Sequence, residues 1–313
     1  MPFLLLLALA LTAGLAVGLV AWRYPRIARP SPAPTLDTAR KVGKAVGKHP
    51  RLHAFLDARL DPAAATGLAL TIAMAFAIGG GLLFGVLAYL MRTNADLIAI
   101  DNGVAKWGNR HATATSMHAL NLVTQLGGIY TVIALCLTLA VAETIRERTV
   151  WVTTFIIAVM GGEELLTATV KQLADRVRPT FNPAAATLGP SFPSGHSATA
   201  AAFYATAALL LGRRRGRPGR AAFTGLAAAI AVAVAASRVL LDVHWLSDVI
   251  AGLSLGWAWF AVCAIAFGGR ILRFGAAAEI AAHVADATEV AEAGSDNPVR
   301  PPLVSARSSN GSK

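Results

Sequence analysis

Residues 245–267 have the sequence WLSDVIAGLSLGWAWFAVCAIAF, in which Asp248 is the only charged side chain. A helix needs about 20 mostly apolar residues to cross the hydrocarbon core of a bilayer, and this stretch meets that requirement. Six further stretches of similar character occur at 3–22, 67–91, 119–142, 150–170, 196–212 and 221–237. Helices satisfy their own backbone groups in lipid, so the sequence predicts an all-α, polytopic transmembrane helical bundle.

The composition of the whole chain agrees with a membrane protein. Of the 313 residues, 55% are hydrophobic and 14% are charged, whereas a soluble domain carries about 25% charged residues. The formal net charge is +11, but the basic residues lie mostly between apolar stretches and form no recognised nucleic-acid-binding module. We therefore expect a lipid bilayer, and no nucleic acid, as the partner.

Basic residues between the apolar stretches predict the orientation of the chain. The linker at 23–66 and the GRRRGRPGR stretch at 212–220 are rich in Arg and Lys, and the short loop at 143–149 contains Arg146 and Arg148. Loops of this kind remain in the cytoplasm. Threading the chain from them puts segments 92–118, 171–195 and 238–244 together on the extracytoplasmic side of the cell (inner) membrane.

The same reasoning predicts four regions along the chain. Residues 1–22 are expected to be a transmembrane anchor; a signal peptide is the alternative, although no Lys or Arg precedes the apolar run. A basic, proline-containing cytoplasmic linker follows at 23–66. Residues 67–270 are predicted to form a six-helix membrane domain, and residues 271–313 a partly disordered cytoplasmic tail.

Three clusters of polar residues lie at predicted ends of apolar stretches. They are KQLADRVRP at 171–179, PSGH at 193–196 and SRVLLDVHWLSD at 237–248. Ionisable residues at membrane depth are costly and are usually functional. Because the predicted topology puts the three clusters on one side of the membrane, we expect them to form one site.

The cations in these clusters favour an anionic ligand. Lys171 supplies a compact charge, whereas Arg178 and Arg238 supply planar donor groups that suit phosphate oxygens. Ser194 is predicted to cap the helix that follows, and Gly195 permits a close backbone approach. Since the N-terminus of a helix also binds anions, all five residues are predicted to bind phosphate.

Two histidines and a carboxylate supply the predicted chemistry. His244 and Asp248 are four residues apart and share one face of a helix, so the carboxylate can accept from one ring N–H. The other ring nitrogen is then free to attack phosphorus. His196 is predicted to protonate the leaving group. We expect no metal and no other cofactor, because the cations neutralise the phosphate oxygens.

The pattern K-x6-RP, PSGH and SR-x5-H-x3-D resembles the signature of the type 2 phosphatidic acid phosphatase superfamily. That group includes lipid phosphate phosphatases, bacterial phosphatidylglycerophosphate and undecaprenyl pyrophosphate phosphatases, and the vanadium haloperoxidases. Every signature position is matched, within residues 67–267. The resemblance implies a six-helix core and metal-independent hydrolysis of phosphate esters through a phosphohistidine.

We therefore expect a membrane phosphatase acting on a lipid phosphate or diphosphate. Its substrate would be a polyprenyl pyrophosphate, phosphatidylglycerophosphate or phosphatidic acid. One alternative is a lipid phosphotransferase that uses the same histidine, and another is a catalytically silent lipid-binding or transport protein. The sequence makes no prediction of oligomeric state.

Other ionisable residues receive separate predictions. We expect solvated side chains at Asp175, Arg176, Asp242, His111 and His118. Glu164 precedes Lys171 by seven residues, which puts the two on the same face of a helix. Glu164 is therefore predicted to orient a cation from inside the bundle.

Overall fold

The computed structural model describes residues 2–23, 65–147 and 150–271, and every regular element within these ranges is a helix. The α-helices are α1 (Pro2–Arg23), α2 (Ala65–Thr93), α3 (Ala95–His111), α4 (Ala114–Gln125), α5 (Ile129–Glu147), α6 (Trp151–Ala174), α7 (Gly195–Gly212), α8 (Arg217–Leu240) and α9 (Leu246–Ile271). A 3-10 helix covers Pro183–Leu188. Residues 24–64 of the predicted linker and 272–313 of the predicted tail lie outside the described residues. The all-α prediction is confirmed.

Within the described ranges, six helical stretches are long and apolar enough to cross a membrane. They are Pro2–Arg23, Thr71–Thr93, Ala114–Arg146, Trp151–Ala174, Arg217–Leu240 and Leu246–Gly268. Each coincides with a predicted apolar stretch. The chain is therefore a multi-span membrane protein.

The seventh predicted stretch, 196–212, forms α7 and differs from the others. This helix has 18 residues, and its first turn is polar. It packs against α6, α8 and α9, and its run of alanines from Ala200 to Ala202 is fully buried. Since other helices rather than lipid cover α7, its sequence need not be as apolar as that of a lipid-facing span.

The predicted span 119–142 is interrupted between α4 and α5. The interruption contacts α7, because the Tyr204 hydroxyl donates a 2.9 Å hydrogen bond to the Leu126 carbonyl. A Cβ on Gly127 would lie 2.6 Å from Cγ1 of Val234 and 2.9 Å from the carbonyl oxygen of His196. Glycine at this position therefore lets the break between the helices lie against the start of α7.

The predicted loop 92–118 contains a complete helix, α3. The Asn94 side chain caps it by accepting from the Leu97 N–H at 2.8 Å. The helix packs against α8 and α9, and its Asp101 is buried. The predicted loop is thus a structured cover over the residues that join α8 to α9.

Close packing brings α9 against the start of α7. A Cβ on Gly252 would lie 2.5 Å from the Ser194 carbonyl oxygen, a separation that real side chains do not tolerate. The Ser194 N–H donates to the Asp248 carbonyl at 3.0 Å. This contact joins the PSGH turn to the first turn of α9.

The segment between α6 and α7 returns the chain to the same end of the bundle. Asp175 ends α6 with a left-handed φ of 43°, and its N–H donates to the Lys171 carbonyl at 3.1 Å. Ser191 closes the loop, because its N–H donates to the Arg176 carbonyl at 2.7 Å. The Phe192–Pro193 peptide bond that leads into α7 is cis.

Candidate active site

The structure brings the three polar clusters together at one end of the bundle. Arg178 from the first cluster contacts His244 from the third, with Nη1 and Nε2 separated by 3.1 Å. Nζ of Lys171 lies 3.5 Å from the position that a Cβ on Gly195 would occupy. Ser194, in the second cluster, is hydrogen-bonded to the backbone of Asp248. The residues predicted to form one site are therefore neighbours.

His244 is held by a tight turn after α8. The N–H groups of Val243 and His244 both donate to the Arg238 carbonyl, at 3.2 and 3.3 Å, and Asp242 has a left-handed φ of 54°. This turn buries the imidazole. Because a guanidinium only donates hydrogen bonds, Nε2 of His244 accepts from Arg178. The ring proton is consequently on Nδ1, and Nε2 carries a lone pair.

The Nδ1 proton faces Asp248. Nδ1 and Oδ2 are 3.4 Å apart, a distance that permits electrostatic attraction but is too long for a well-formed hydrogen bond. The same Oδ2 accepts the Trp245 N–H at 3.0 Å. The carboxylate therefore lies in the right direction for the ring proton while its best hydrogen bond goes to the backbone.

Burial controls the protonation of His244. Removal from solvent lowers the pKa of His244 to about 4, and the neighbouring Asp248 opposes this shift only in part. The imidazole is consequently neutral at the pH values at which cells live. A neutral ring with an unprotonated Nε2 is the form that acts as a nucleophile.

Arg178 uses all of its donor groups in this arrangement. Nε donates to the Gly189 carbonyl at 2.8 Å, and Nη1 donates to the Val243 carbonyl at 2.7 Å as well as to His244. Nη2 donates to the carbonyls of Leu188 and Pro190, at 3.4 and 3.1 Å. Burial lowers the pKa of Arg178, which still leaves an arginine charged. The side chain thus anchors two loops, and an anion bound beside it would replace one of these acceptors.

Arg238 is a buried cation with spare donor capacity. Its Nη1 donates to the Thr124 hydroxyl at 3.1 Å, while its Nε has no acceptor among the described residues. The charges of Arg238, Lys171 and Arg178 all act on the partly buried ring of His196. An anion entering beside His196 would therefore meet a strongly positive potential.

The start of α7 differs from the prediction in one detail. Ser194 occupies the N-cap position, but its side chain makes no capping hydrogen bond to the helix backbone. Its hydroxyl oxygen accepts from the Ser197 hydroxyl at 2.9 Å instead. The predicted capping by the Ser194 side chain is wrong, and the N–H groups of the first turn of α7 are left uncapped by it.

Two residues predicted to be solvated are not: Asp242 is buried, and Arg176 is partly buried. Arg176 is 13% exposed, because it donates to the carboxylates of Asp101 at 2.7 Å and Asp248 at 2.6 Å. Asp242 is 5% exposed, its Oδ1 has no hydrogen-bond partner among the described residues, and burial raises its pKa to about 6. Both predictions failed because the folding of α3 over this turn removes water. The others named with them are exposed as predicted: Asp175, His111 and His118.

The prediction that Glu164 lies inside the bundle is wrong, although its charge still acts on Lys171. Its side chain is exposed, whereas Glu163 is fully buried and accepts from the hydroxyls of Thr167 at 2.8 Å and Thr199 at 3.1 Å. Lys171 lies at the edge of the buried face of α6. Glu164 therefore remains exposed even though it lies on the same side of α6 as Lys171.

Three residues that contact the site were not predicted to do so: Asp101 and Thr124 received no prediction, and Arg176 was predicted to be solvated. Asp101 carried a usable signal, because it lies four residues from both Leu97 and Ala105 and so on an apolar face of α3. Arg176 and Thr124 carried none, since their partners lie far away in the chain. Within the described part of the chain, no three His, Cys, Asp or Glu side chains are grouped to hold a metal ion.

Comparison with known proteins agrees with this geometry. The sequence model of the PAP2 superfamily matches residues 153–271. Phosphatidylglycerophosphatase B of Bacillus subtilis is 31% identical over 178 residues, which are 56% of this chain and 86% of that protein. Lipid A 1-phosphatase of Rhizobium johnstonii is 47% identical over 72 residues, which are 23% of this chain and 25% of that protein.

A crystal structure has the same fold. It is that of a transmembrane PAP2-type phosphatidylglycerolphosphate phosphatase from Bacillus subtilis, and it matches with a TM-score of 0.58 and 30% identity. The match covers 64% of this chain and 99% of that chain. The resemblance inferred from the three motifs is thereby confirmed. The chain belongs to the PAP2 superfamily, and it is a multi-span membrane lipid phosphatase.

Proposed function

We propose that this phosphatase works through a phosphohistidine on His244. The observation that carries the proposal is the direction of Nε2, which has a lone pair and faces the Arg178 guanidinium 3.1 Å away. A phosphate attracted to that cation would come within reach of the nitrogen. The low pKa of His244 supports the same role, because the ring needs no deprotonation before it attacks.

The proposed reaction has two steps. In the first, a bond forms between Nε2 of His244 and phosphorus as the bond from phosphorus to the lipid oxygen breaks. His196, which takes up a proton once the negative phosphate offsets the surrounding cations, gives that proton to the departing oxygen. In the second, a water oxygen bonds to phosphorus as the bond to Nε2 breaks, and His196 takes a proton from the water. Asp248 stabilises the positive charge that the imidazole acquires between the steps.

Phosphate binding is assigned to the surrounding cations and to the start of α7. Lys171, Arg178 and Arg238 neutralise the charge on the phosphate oxygens, which is the larger part of what phosphoryl transfer requires. The backbone N–H groups after Ser194, beginning with that of Gly195, add donors at a helix N-terminus. Burial supports this assignment, since charges interact more strongly where water is excluded.

We propose phosphatidylglycerophosphate as the first substrate to test. The relatives named for that activity match this chain over most of their own length. Three apolar side chains near Arg178 in the sequence are highly exposed: Leu173 at 73%, Val177 at 77% and Leu188 at 53%. Exposed apolar side chains of this kind suit the acyl chains of a lipid. The shorter match to lipid A 1-phosphatase supports a glycolipid phosphate as the second candidate.

We also propose that the site lies on the extracytoplasmic side of the inner membrane. Arg213, Arg214 and Arg215 follow the other end of α7, and a helix of 18 residues is about 27 Å long. Basic loops remain in the cytoplasm, so the end of α7 that carries His196 would lie on the extracytoplasmic side.

The test is phosphate release from a panel of lipids by the purified protein in detergent, with a metal chelator present. The panel contains phosphatidylglycerophosphate, lipid A, polyprenyl pyrophosphate and phosphatidic acid. We expect release from at least one of these lipids and loss of release in His244→Ala, with His118→Ala, an exposed histidine, as the matched control. In a second experiment the lipid carries its label in the phosphate, and the reaction is quenched rapidly without acid. Label should then remain bound to the wild-type protein and not to His244→Ala.

Each competing outcome has a distinct result. Activity retained by His244→Ala would refute the mechanism, and loss of activity in chelator would indicate a metal. Transfer of label to an added glycolipid in place of water would support the phosphotransferase alternative.

A further inference from the structure

Arg176 connects two buried carboxylates that come from different helices. Its Nη1 donates to Oδ1 of Asp248 at 2.6 Å, and its Nη2 donates to Oδ2 of Asp101 at 2.7 Å. The two aspartates are 0% and 1% exposed. The side chain also lies over the indole of Trp245, with Cζ 5.6 Å from the ring centroid. Arg176 is therefore fixed on several sides and is the cation closest to Asp248.

Asp101 holds the start of α9 from outside that helix. Its Oδ1 accepts the Ser247 N–H at 2.9 Å, and its Oδ2 accepts the Ser247 hydroxyl at 2.6 Å. An N–H group in the first turn of a helix has no partner within the helix, so Asp101 acts as a cap supplied by α3. These two hydrogen bonds fix the first turn of α9, which carries Asp248, relative to α3.

The charges in this group leave one negative charge for His244. Asp101 and Asp248 contribute two negative charges and Arg176 one positive charge. Without Arg176, two carboxylates would lie together away from water with no counter-charge, and their repulsion would displace Asp248 from its place beside His244. A displaced Asp248 would no longer stabilise a positive imidazole.

We propose that Arg176 and Asp101 are positioning residues for the phosphatase reaction. Arg176 supplies the counter-charge to Asp248 and, by binding its Oδ1, directs its Oδ2 toward Nδ1 of His244, and Asp101 holds Arg176 and the first turn of α9 in place. Neither residue touches the phosphate. The inference rests on the proposed roles of His244 and Asp248, and it adds α3 to the elements that determine the rate.

The experiment compares turnover in Arg176→Gln, Arg176→Lys and Asp101→Asn with that of the wild type. We expect kcat to fall about 100-fold in Arg176→Gln and about 10-fold in Asp101→Asn, with KM changed less than threefold, because outer-shell residues support the chemical step rather than lipid binding. Arg176→Lys should recover part of the loss, since it restores the charge without the planar fork that reaches both carboxylates. Exposed residues supply the matched controls, Arg110→Gln and Asp175→Asn, which should retain full turnover.

A double-mutant cycle separates positioning from a general structural role. In an Asp248→Asn background, Arg176→Gln should lower kcat less than threefold further, because its effect would act through a carboxylate that is already absent. Independent, multiplicative losses would overturn the proposal, as would a KM increase that accounts for the whole effect. Thermal unfolding of each variant shows whether lost activity reflects lost folded protein.

The design also distinguishes failure of this inference from failure of the proposed function. If His244→Ala is inactive and Asp248→Asn is impaired while Arg176→Gln and Asp101→Asn turn over normally, only the positioning roles are refuted. If His244→Ala is active, the mechanism itself is refuted, and the roles of Arg176 and Asp101 are refuted with it.

Discussion

The two ends of α7 use arginines in opposite ways. At the end near Gly212, the buried Glu143 pairs with Arg213 at 2.5 Å, Arg214 at 3.5 Å and Arg146 at 3.8 Å. At the end near Gly195, Arg178 and Arg238 make no ion pair with a carboxylate in the described part of the chain. We call these the paired end and the unpaired end.

This difference separates a structural use of charge from a functional one. A closed ion pair joins helices and leaves little charge for a ligand. Cations buried without carboxylates make the folded state less stable, yet they hold a positive potential ready for an anion. The unpaired end is therefore where a phosphate is expected, and Arg176 with its two aspartates is an ion-paired group beside it.

Arg238→Met should give the largest effect and directly tests the unpaired end. Loss of a buried cation that we propose binds phosphate should lower kcat/KM about 1000-fold. The melting temperature should stay the same or rise, because the substitution removes a desolvated charge with one hydrogen bond to Thr124. Phosphate release and thermal unfolding in detergent measure the two quantities. Lower stability together with normal activity would show that Arg238 is structural.

Glu143→Gln should produce the reverse pattern at the paired end. The change leaves Arg213 near the protein interior without its counter-charge, so we expect a loss of about 3 kcal/mol in the free energy of unfolding. Turnover per folded molecule should remain within about twofold of the wild type, because α7 separates this end from His196 by its full length. A specific loss of kcat without a loss of stability would contradict the comparison.

The pH dependence of activity tests the protonation of His244, which lies at the unpaired end. Its pKa is lowered to about 4, so the imidazole remains neutral and reactive until the pH falls toward that value. We therefore expect no decline in kcat/KM attributable to His244 as the pH falls from 7 to 5. The folded state should lose stability over this range, because an unfolded histidine takes up a proton near pH 6.5 and the buried one does not. A decline in activity centred near pH 6.5 in wild type and in His111→Ala would contradict this assignment.

Asp242→Asn should give the smallest effect. Burial raises the pKa of Asp242 from 3.8 to about 6, so the folded state loses stability as the pH rises between these two values and the loss is complete above about 6. Asparagine has nearly the same shape and also tolerates the left-handed φ of 54°. The variant should melt a few degrees higher than wild type at pH 7.5, and the difference should shrink at pH 5. An equal difference at both pH values would exclude ionisation as the cause.

Hydrophobicity and spacing were enough to predict the class of fold and the residues that gather at the site. Bilayer thickness fixes the length of a span, and the seven apolar stretches all became helices or pairs of helices. The positions of Lys171, Arg178, His196 and His244 at helix ends followed from where the apolar runs stop. These properties are local in sequence, so the sequence alone determines them.

The tertiary structure decided which charges are buried and which of them are paired. Arg176 and Asp242 belong to segments that look solvated, and only the packing of α3 above them removes the water. Glu163 rather than Glu164 enters the core, because the position of α7 decides which side of α6 is covered. The contacts from Arg176 to Asp101 and Asp248 join residues more than 70 positions apart. Pairing of that kind depends on how helices pack in three dimensions, and no local pattern of residues records it.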